Sequence, residues 1–226
     1  MGGLIPLSDA SRRPAQIPVV TIFIVLVNAL VFVLELTNGE AFVAQWSAIP
    51  AQITSGHHWI TILTAMFMHG SWSHIIGNMI FLWAFAPEIE DAMGRGRYLV
   101  FYLLGGLVAM LAQIAVDPHS TVPNLGASGA IAAVLGAFFV LYPNTQVTGL
   151  FGIFPVRVSA YFFLGFWFLY QLFEANFGIF GARAHGGGVA FFAHVGGFVF
   201  GFVVATALAG SGRVRTSGSS ALRAPA

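Results

Sequence analysis

The sequence has no cysteine and no lysine, and it carries few charges of either sign. Without cysteine there is no disulfide, no thiolate nucleophile and no Cys-ligated zinc. Only 8% of residues are charged, against about 25% in a soluble domain. Such a chain cannot cover its surface with polar groups in water, and its mean hydropathy of +0.85 makes it an integral membrane protein. The net charge is +1, and all nine basic residues are arginine, so nothing in the charge balance points to nucleic acid. No internal repeat is visible, which argues against an inverted-repeat transporter. A cleaved signal peptide is not expected either. Ser8 to Pro14 is polar, and the apolar run from Ile17 is too long for a signal h-region.

What is present is long apolar runs. A membrane-spanning helix needs ~20 apolar residues. Six candidate spans follow, at 17–37, 73–92, 97–116, 127–142, 158–178 and 187–209. The expected fold is therefore all-α: a polytopic bundle of six transmembrane helices with a short central fourth. Residues 1–16 form an N-terminal segment, 17–210 the membrane domain, and 211–226 a Ser/Gly/Arg-rich tail expected to be disordered. With a cytoplasmic N-terminus, eight arginines fall inside and only Arg183 outside, which also favours an even number of spans and a cytoplasmic C-terminus. Segment 38–72 then lies outside. It carries Trp46, Trp59 and Trp72 and suits either an interfacial loop or a plain extracellular one.

The fourth run raises the functional question. NLGASGAIAAVLG (124–136) places Ser128 at its mouth. From Ser128 to Tyr142 is ~22 Å of helix, whereas the hydrocarbon core is ~30 Å thick. Ser128 should therefore sit roughly 8–10 Å below the outer surface, and the loop before it must dip into the membrane. Irregular backbone is tolerated at that depth only when protein covers it or it lines water. His194 in AHVGG (193–197) and Asn78 in HIIGN (74–78) come to a similar depth on other spans. His74 and Asn78, four apart, share one helix face. An intramembrane ionisable residue marks a functional site by default. Ser128, Ala132 and Gly136 are spaced by four, as are Ala193, Gly197, Gly201 and Ala205. Small faces of this kind let membrane helices approach closely, which would bring Ser128 beside His194. The plainer alternatives are that Ser128 caps a helix, that the glycines only pack, and that His194 and Asn78 are interhelical glue.

Taken together, HGSWSHIIGN (69–78), GASGA (126–130) and AHVGGFVFG (193–201), with Glu90-x-x-x-Gly94-x-Gly96, resemble the rhomboid intramembrane serine proteases from about Trp59 to Gly201. The resemblance implies a serine endopeptidase acting on single-span membrane proteins. It makes Ser128 the nucleophile and His194 the general base. Asn78, His74 and the Ser128 backbone N–H would form the oxyanion hole. His69, Gly126, Gly129 and Gly197 would support the site. No carboxylate falls on the sixth span beside His194, so a Ser–His dyad is expected rather than a triad. Neither cofactor nor metal is expected, since His69 and His74 are five apart, a poor helical zinc pair. The partners implied are transmembrane substrates and the lipid bilayer, and a compact chain without a transit peptide favours a bacterial plasma membrane.

Two positions depart from the family pattern. Some members carry Tyr four residues after the serine, stacked under the histidine; here it is Ala132. The outer-loop Trp59 is followed by Ile60 rather than Arg. Two competing readings remain. One is an inactive rhomboid-like binder of membrane proteins. The other is a transporter using His74, His194 and Glu174, the one acid read as lying well inside the outer half of a span.

Overall fold

The structure, a computed structural model, describes residues 5–9, 16–151, 154–180 and 190–214. A strand β1 (Ile5–Asp9) comes first, then a long helix α1 (Val19–Trp46) bent at Gly39, whose φ of 69° breaks helical geometry. Two short helices, α2 (Pro50–Thr54) and α3 (Thr61–Thr64), and a 3-10 turn (Ala65–Phe67) follow. Next come α4 (Trp72–Met93), α5 (Arg95–Val116) and α6 (Ser128–Leu141). The strands β2 (Gln146–Phe151) and β3 (Phe154–Ser159) precede α7 (Ala160–Phe180) and α8 (Phe191–Gly210). Helices α1, α5 and α8 are each long and apolar enough to cross a membrane. Their exposed side chains include Phe23, Leu26, Val100, Leu104, Phe202 and Val203, an apolar surface suited to lipid rather than water.

Helices α1, α4, α5, α6, α7 and α8 overlap the expected spans; α1 runs on past residue 37 to Trp46, and the other ends differ by a few residues. The all-α expectation needs one correction. Gln146–Phe151 and Phe154–Ser159 form an antiparallel strand pair, and β1 adds to it in the order β1-β2-β3. Val147, Val156 and Val158, with Thr148, are β-branched and suit a pleated surface. The N-terminal segment is therefore tied by its strand to the loop after α6. Of the tail expected to be disordered, residues 215–226 lie outside the described residues. Val214 is buried, and the Arg97 side chain donates to the Arg213 carbonyl at 3.0 Å.

Helix α1 has no capping side chain of its own at Pro18. Glu90 supplies the cap from α4. One carboxylate oxygen accepts from Val20 N–H at 2.9 Å, and the other accepts from the Thr21 N–H and hydroxyl, each at 2.8 Å. This satisfies donors that a helix start leaves orphaned, and it places negative charge at the positive end of the helix dipole. Gly94, at φ 79°, ends α4 and begins α5, so a single residue turns the chain back.

Helix α6 has only 14 residues, and Gly129 through Phe138 are all buried. It is wedged between its neighbours because its surface is small. A Cβ on Gly105 of α5 would lie 2.6 Å from the Ala133 Cβ, and one on Gly201 of α8 would collide with the Ala133 carbonyl. The loop leading into α6 is held by main-chain bonds to the segment between α1 and α4. Ala48 and Asn124 exchange two backbone hydrogen bonds, Ala51 N–H donates to Ser120 O, and Gly126 N–H donates to Ala65 O at 2.8 Å. Irregular backbone before Ser128 is thus satisfied by protein, as burial away from water requires.

Candidate active site

Ser128 is the first residue of α6, and the cap position is Ala127, which makes no side-chain cap. The Ser128 hydroxyl instead meets α8: His194 Nε2 lies 2.8 Å from Ser128 Oγ. That is within the ~2.6–3.2 Å over which a base can take a hydroxyl proton. His194 is buried, and Ser128 is partly exposed.

Glycine makes the approach possible, along the expected face and beside it. A Cβ on Gly197 would collide with the Gly129 carbonyl and lie 3.2 Å from the Ala132 Cβ. One on Gly136 would collide with the Phe198 carbonyl. The glycines of α8 therefore ride on Gly129 and Ala133 as well as on Ala132, with main chain against main chain. The start of α8 is held as well, because Gln113 Oε1 of α5 accepts the Ala193 N–H at 3.3 Å.

Of the remaining candidates, Gly126 and His74 lie beside the serine. Gly126 has φ 133°, a conformation that favours glycine. A Cβ there would lie 2.9 Å from His74 Nε2 and 3.6 Å from Ser128 Oγ. His74 and the serine thus flank a gap that glycine leaves open. Asn78 sits one turn further along the same face of α4. It is buried, and its side-chain amide nitrogen has no hydrogen-bond partner among the described residues. A buried donor left unmatched is costly unless something arrives to accept from it.

His69 lies in the loop before α4, buried, with its ring edge-on to His74 at a centroid distance of 5.0 Å. Burial pushes its imidazole down to about 4, and the neighbouring His74 adds to this while the Phe67 carbonyl opposes it. His69 is therefore neutral near pH 7.

Two residues near the site were not singled out by sequence. Glu35, buried on α1, accepts the His69 N–H at 2.9 and 3.1 Å through its two oxygens. An acid inside an apolar run was itself the available signal. Trp167 of α7 sets its ring 5.8 Å from that of His194, and nothing in the sequence distinguishes it from the other aromatics of that helix. The side chain of Glu174, invoked for a transporter, lies outside the described residues.

A half-buried hydroxyl hydrogen-bonded to a buried imidazole, beside a gap flanked by a second imidazole, has the parts for acyl transfer. Residues 56–211 match the rhomboid domain. The chain belongs to the rhomboid family. It is 33% identical over 131 residues to the rhomboid protease GluP of Bacillus subtilis, a stretch covering 56% of this chain and 25% of that protein. It is 30% identical over 91 residues to the putative rhomboid protease YdcA of the same organism, covering 39% of this chain and 45% of that one. A similar stretch matches rhomboid protein 1 of Saccharomyces cerevisiae mitochondria, 32% identical over 110 residues, with 45% and 30% covered. The chain spans less than half the length of each of these relatives.

Proposed function

We propose that this rhomboid-family membrane protein is an intramembrane serine endopeptidase that cuts single-span membrane proteins within or near their transmembrane segment. The observation that carries the reading is the 2.8 Å contact between Ser128 Oγ and His194 Nε2. Ser128 attacks the scissile carbonyl carbon while His194 takes the hydroxyl proton. The carbonyl oxygen becomes an oxyanion facing the Asn78 amide, His74 and the Ser128 N–H, donors fixed before the charge appears. His194 then passes its proton to the leaving amine, and the peptide C–N bond breaks. Water, deprotonated by the same imidazole, hydrolyses the acyl-enzyme and frees the serine.

The dyad needs no third acid. Glu35 is committed to the His69 main chain and Glu90 to the start of α1. Six helices, α1 and α4 to α8, form the membrane domain, and short α6 is its centre. Both termini face the cytoplasm of a bacterium, a placement supported by the arginine bias. Relatives in mitochondria share the match, so the membrane itself is tested by localising the protein in its own cell.

The deciding experiment incubates the purified protein in detergent micelles with single-span test substrates, wild type against Ser128→Ala. Cleavage by wild type alone supports the protease. Equal binding of substrate by both, with no cleavage by either, would make the chain a binder.

A further inference from the structure

Ala132 offers His194 only a methyl group from α6. The terminal side-chain torsion of histidine is broad, so rings packed on the imidazole bear on the plane it adopts. No ring can rise from α6 to hold the plane. Ala132 is fully buried, and its Cβ faces the Gly197 position of α8. The ring comes from another helix. Trp167 of α7 lies 5.8 Å from His194, with the two planes tilted by 39°. Trp167 is itself braced, 6.3 Å from Phe198, one turn along α8 from the histidine. Phe198 is in turn stacked on Phe168 at 4.4 Å. Phe191 closes another side, edge-on to the imidazole at 6.4 Å.

We propose that Trp167 is a positioning residue for His194, holding the imidazole plane from α7 where α6 offers only a methyl group. This rests on the reading of Ser128 and His194 as a catalytic pair. The geometry adds an electrostatic consequence. When His194 takes the serine proton it becomes a cation, and an indole within ~6 Å of a cation attracts it through the ring quadrupole. That attraction exists only after proton transfer, so it favours the transition state over the ground state. Orientation of the base therefore depends on a helix that does not carry it. If α7 moves away from α8, the base loses its brace together with its neighbour.

The test uses full-length protein in detergent with two readouts. One is kcat and KM on a single-span substrate. The other is the second-order rate at which a small fluorophosphonate modifies Ser128, which reads activation of the serine without requiring a helix to enter. Trp167→Leu should lower kcat and slow labelling by the same factor, on the order of 10-fold, with KM little changed. Trp167→Phe should restore most of both. Phe166→Leu, at a position 75% exposed on the same helix, should stay near wild type. Should the Leu variant not hold its fold, Trp167→Met makes the same comparison. Wild-type labelling rates in Trp167→Leu, or a rise in KM alone, would make Trp167 a wall of the substrate path and overturn the proposal. So would a Phe variant as slow as the Leu variant. If wild type is neither labelled at Ser128 nor active, the catalytic pair itself has failed, which is a different result.

Discussion

Helix α8 is held on two sides by opposite means. Toward α6 it meets main chain with main chain: Cβ atoms on Gly197 and Gly201 would strike the carbonyls of Gly129 and Ala133. Toward α7 it meets rings, with Phe168 on Phe198 and Trp167 on both Phe198 and His194. A backbone seam has no rotamers and so sets a distance. A ring contact can slide and reform, and so sets an orientation that remains adjustable. The Ser128–His194 separation belongs to the first kind of contact, and the ring packing around His194 belongs to the second.

The sharpest way to break this comparison is to remove either member of the pair that the seam holds. Ser128→Ala and His194→Ala should each remove nearly all turnover, and the double variant should be no worse, because residues acting as a unit are strongly non-additive. Losses that multiply in the double variant would show two independent roles. Next in size is the seam itself. Gly197→Leu and Gly201→Leu should abolish cleavage and lower the Tm. Overpacking typically costs about 1–3 kcal/mol, and a displacement of ~1 Å can cost ~10²-fold in rate. Val203→Leu, on the lipid side of the same helix and 57% exposed, should do neither. Ala132→Tyr belongs with the damaging changes, since that side chain faces Gly197. A fully active Gly197→Leu protein would end the account of the seam.

The sequence made the seam legible because small-residue spacing and the depth of Ser128 are both consequences of helix geometry. Ser128, Ala132 and Gly136 do face α8, meeting His194, the Gly197 position and the Phe198 carbonyl, but Gly129 and Ala133 share the seam, with their carbonyls against Gly197 and Gly201. The meeting of Ser128 and His194 was readable because polar groups in apolar runs are costly and therefore few. The sheet was not, because its strands are short and one partner lies far away at residues 5–9. Trp167 was hidden for the reverse reason. On an aromatic helix one more ring carries no signal until its neighbours are known.

The proposed oxyanion donors come third in expected size. Asn78→Ala should lower turnover by about 10–10³-fold with the fold intact, as removal of one preorganised donor does while others remain. An unchanged rate would remove Asn78 from the site. Smaller again is Glu35, which touches neither substrate nor the pair but holds the His69 main chain. Glu35→Ala should cost roughly 1–3 kcal/mol of stability through one unmatched buried N–H. Its effect on kcat should be weaker than that of Asn78→Ala. Glu35→Gln, which keeps an acceptor oxygen, should recover most of the stability in a thermal melt. If Gln were as damaging as Ala, the carboxylate would be doing something other than accepting that bond.

The smallest expected effect compares a ring contact of α7, made to Phe139 of α6, with the backbone seam between α6 and α8. Gly165 lies in α7, and a Cβ there would meet only Phe139 Cε2, at 3.6 Å, an ordinary van der Waals contact with a ring edge. Gly201 lies in α8, and the same Cβ would collide with the Ala133 carbonyl, which cannot move without carrying α6 with it. Both are helix-interior glycines, and neither has a left-handed φ. The intrinsic gain from Ala, at most about 1 kcal/mol, is common to both. The difference between the variants therefore reports the neighbour alone. Gly165→Ala should leave cleavage within about twofold of wild type and hold or slightly raise the Tm, since Ala is the better helix former. Gly201→Ala should lose both activity and stability. If the two variants behave alike, α7 is fastened to its neighbours as rigidly as α6 is, and the division between a side that sets distance and a side that sets orientation does not exist.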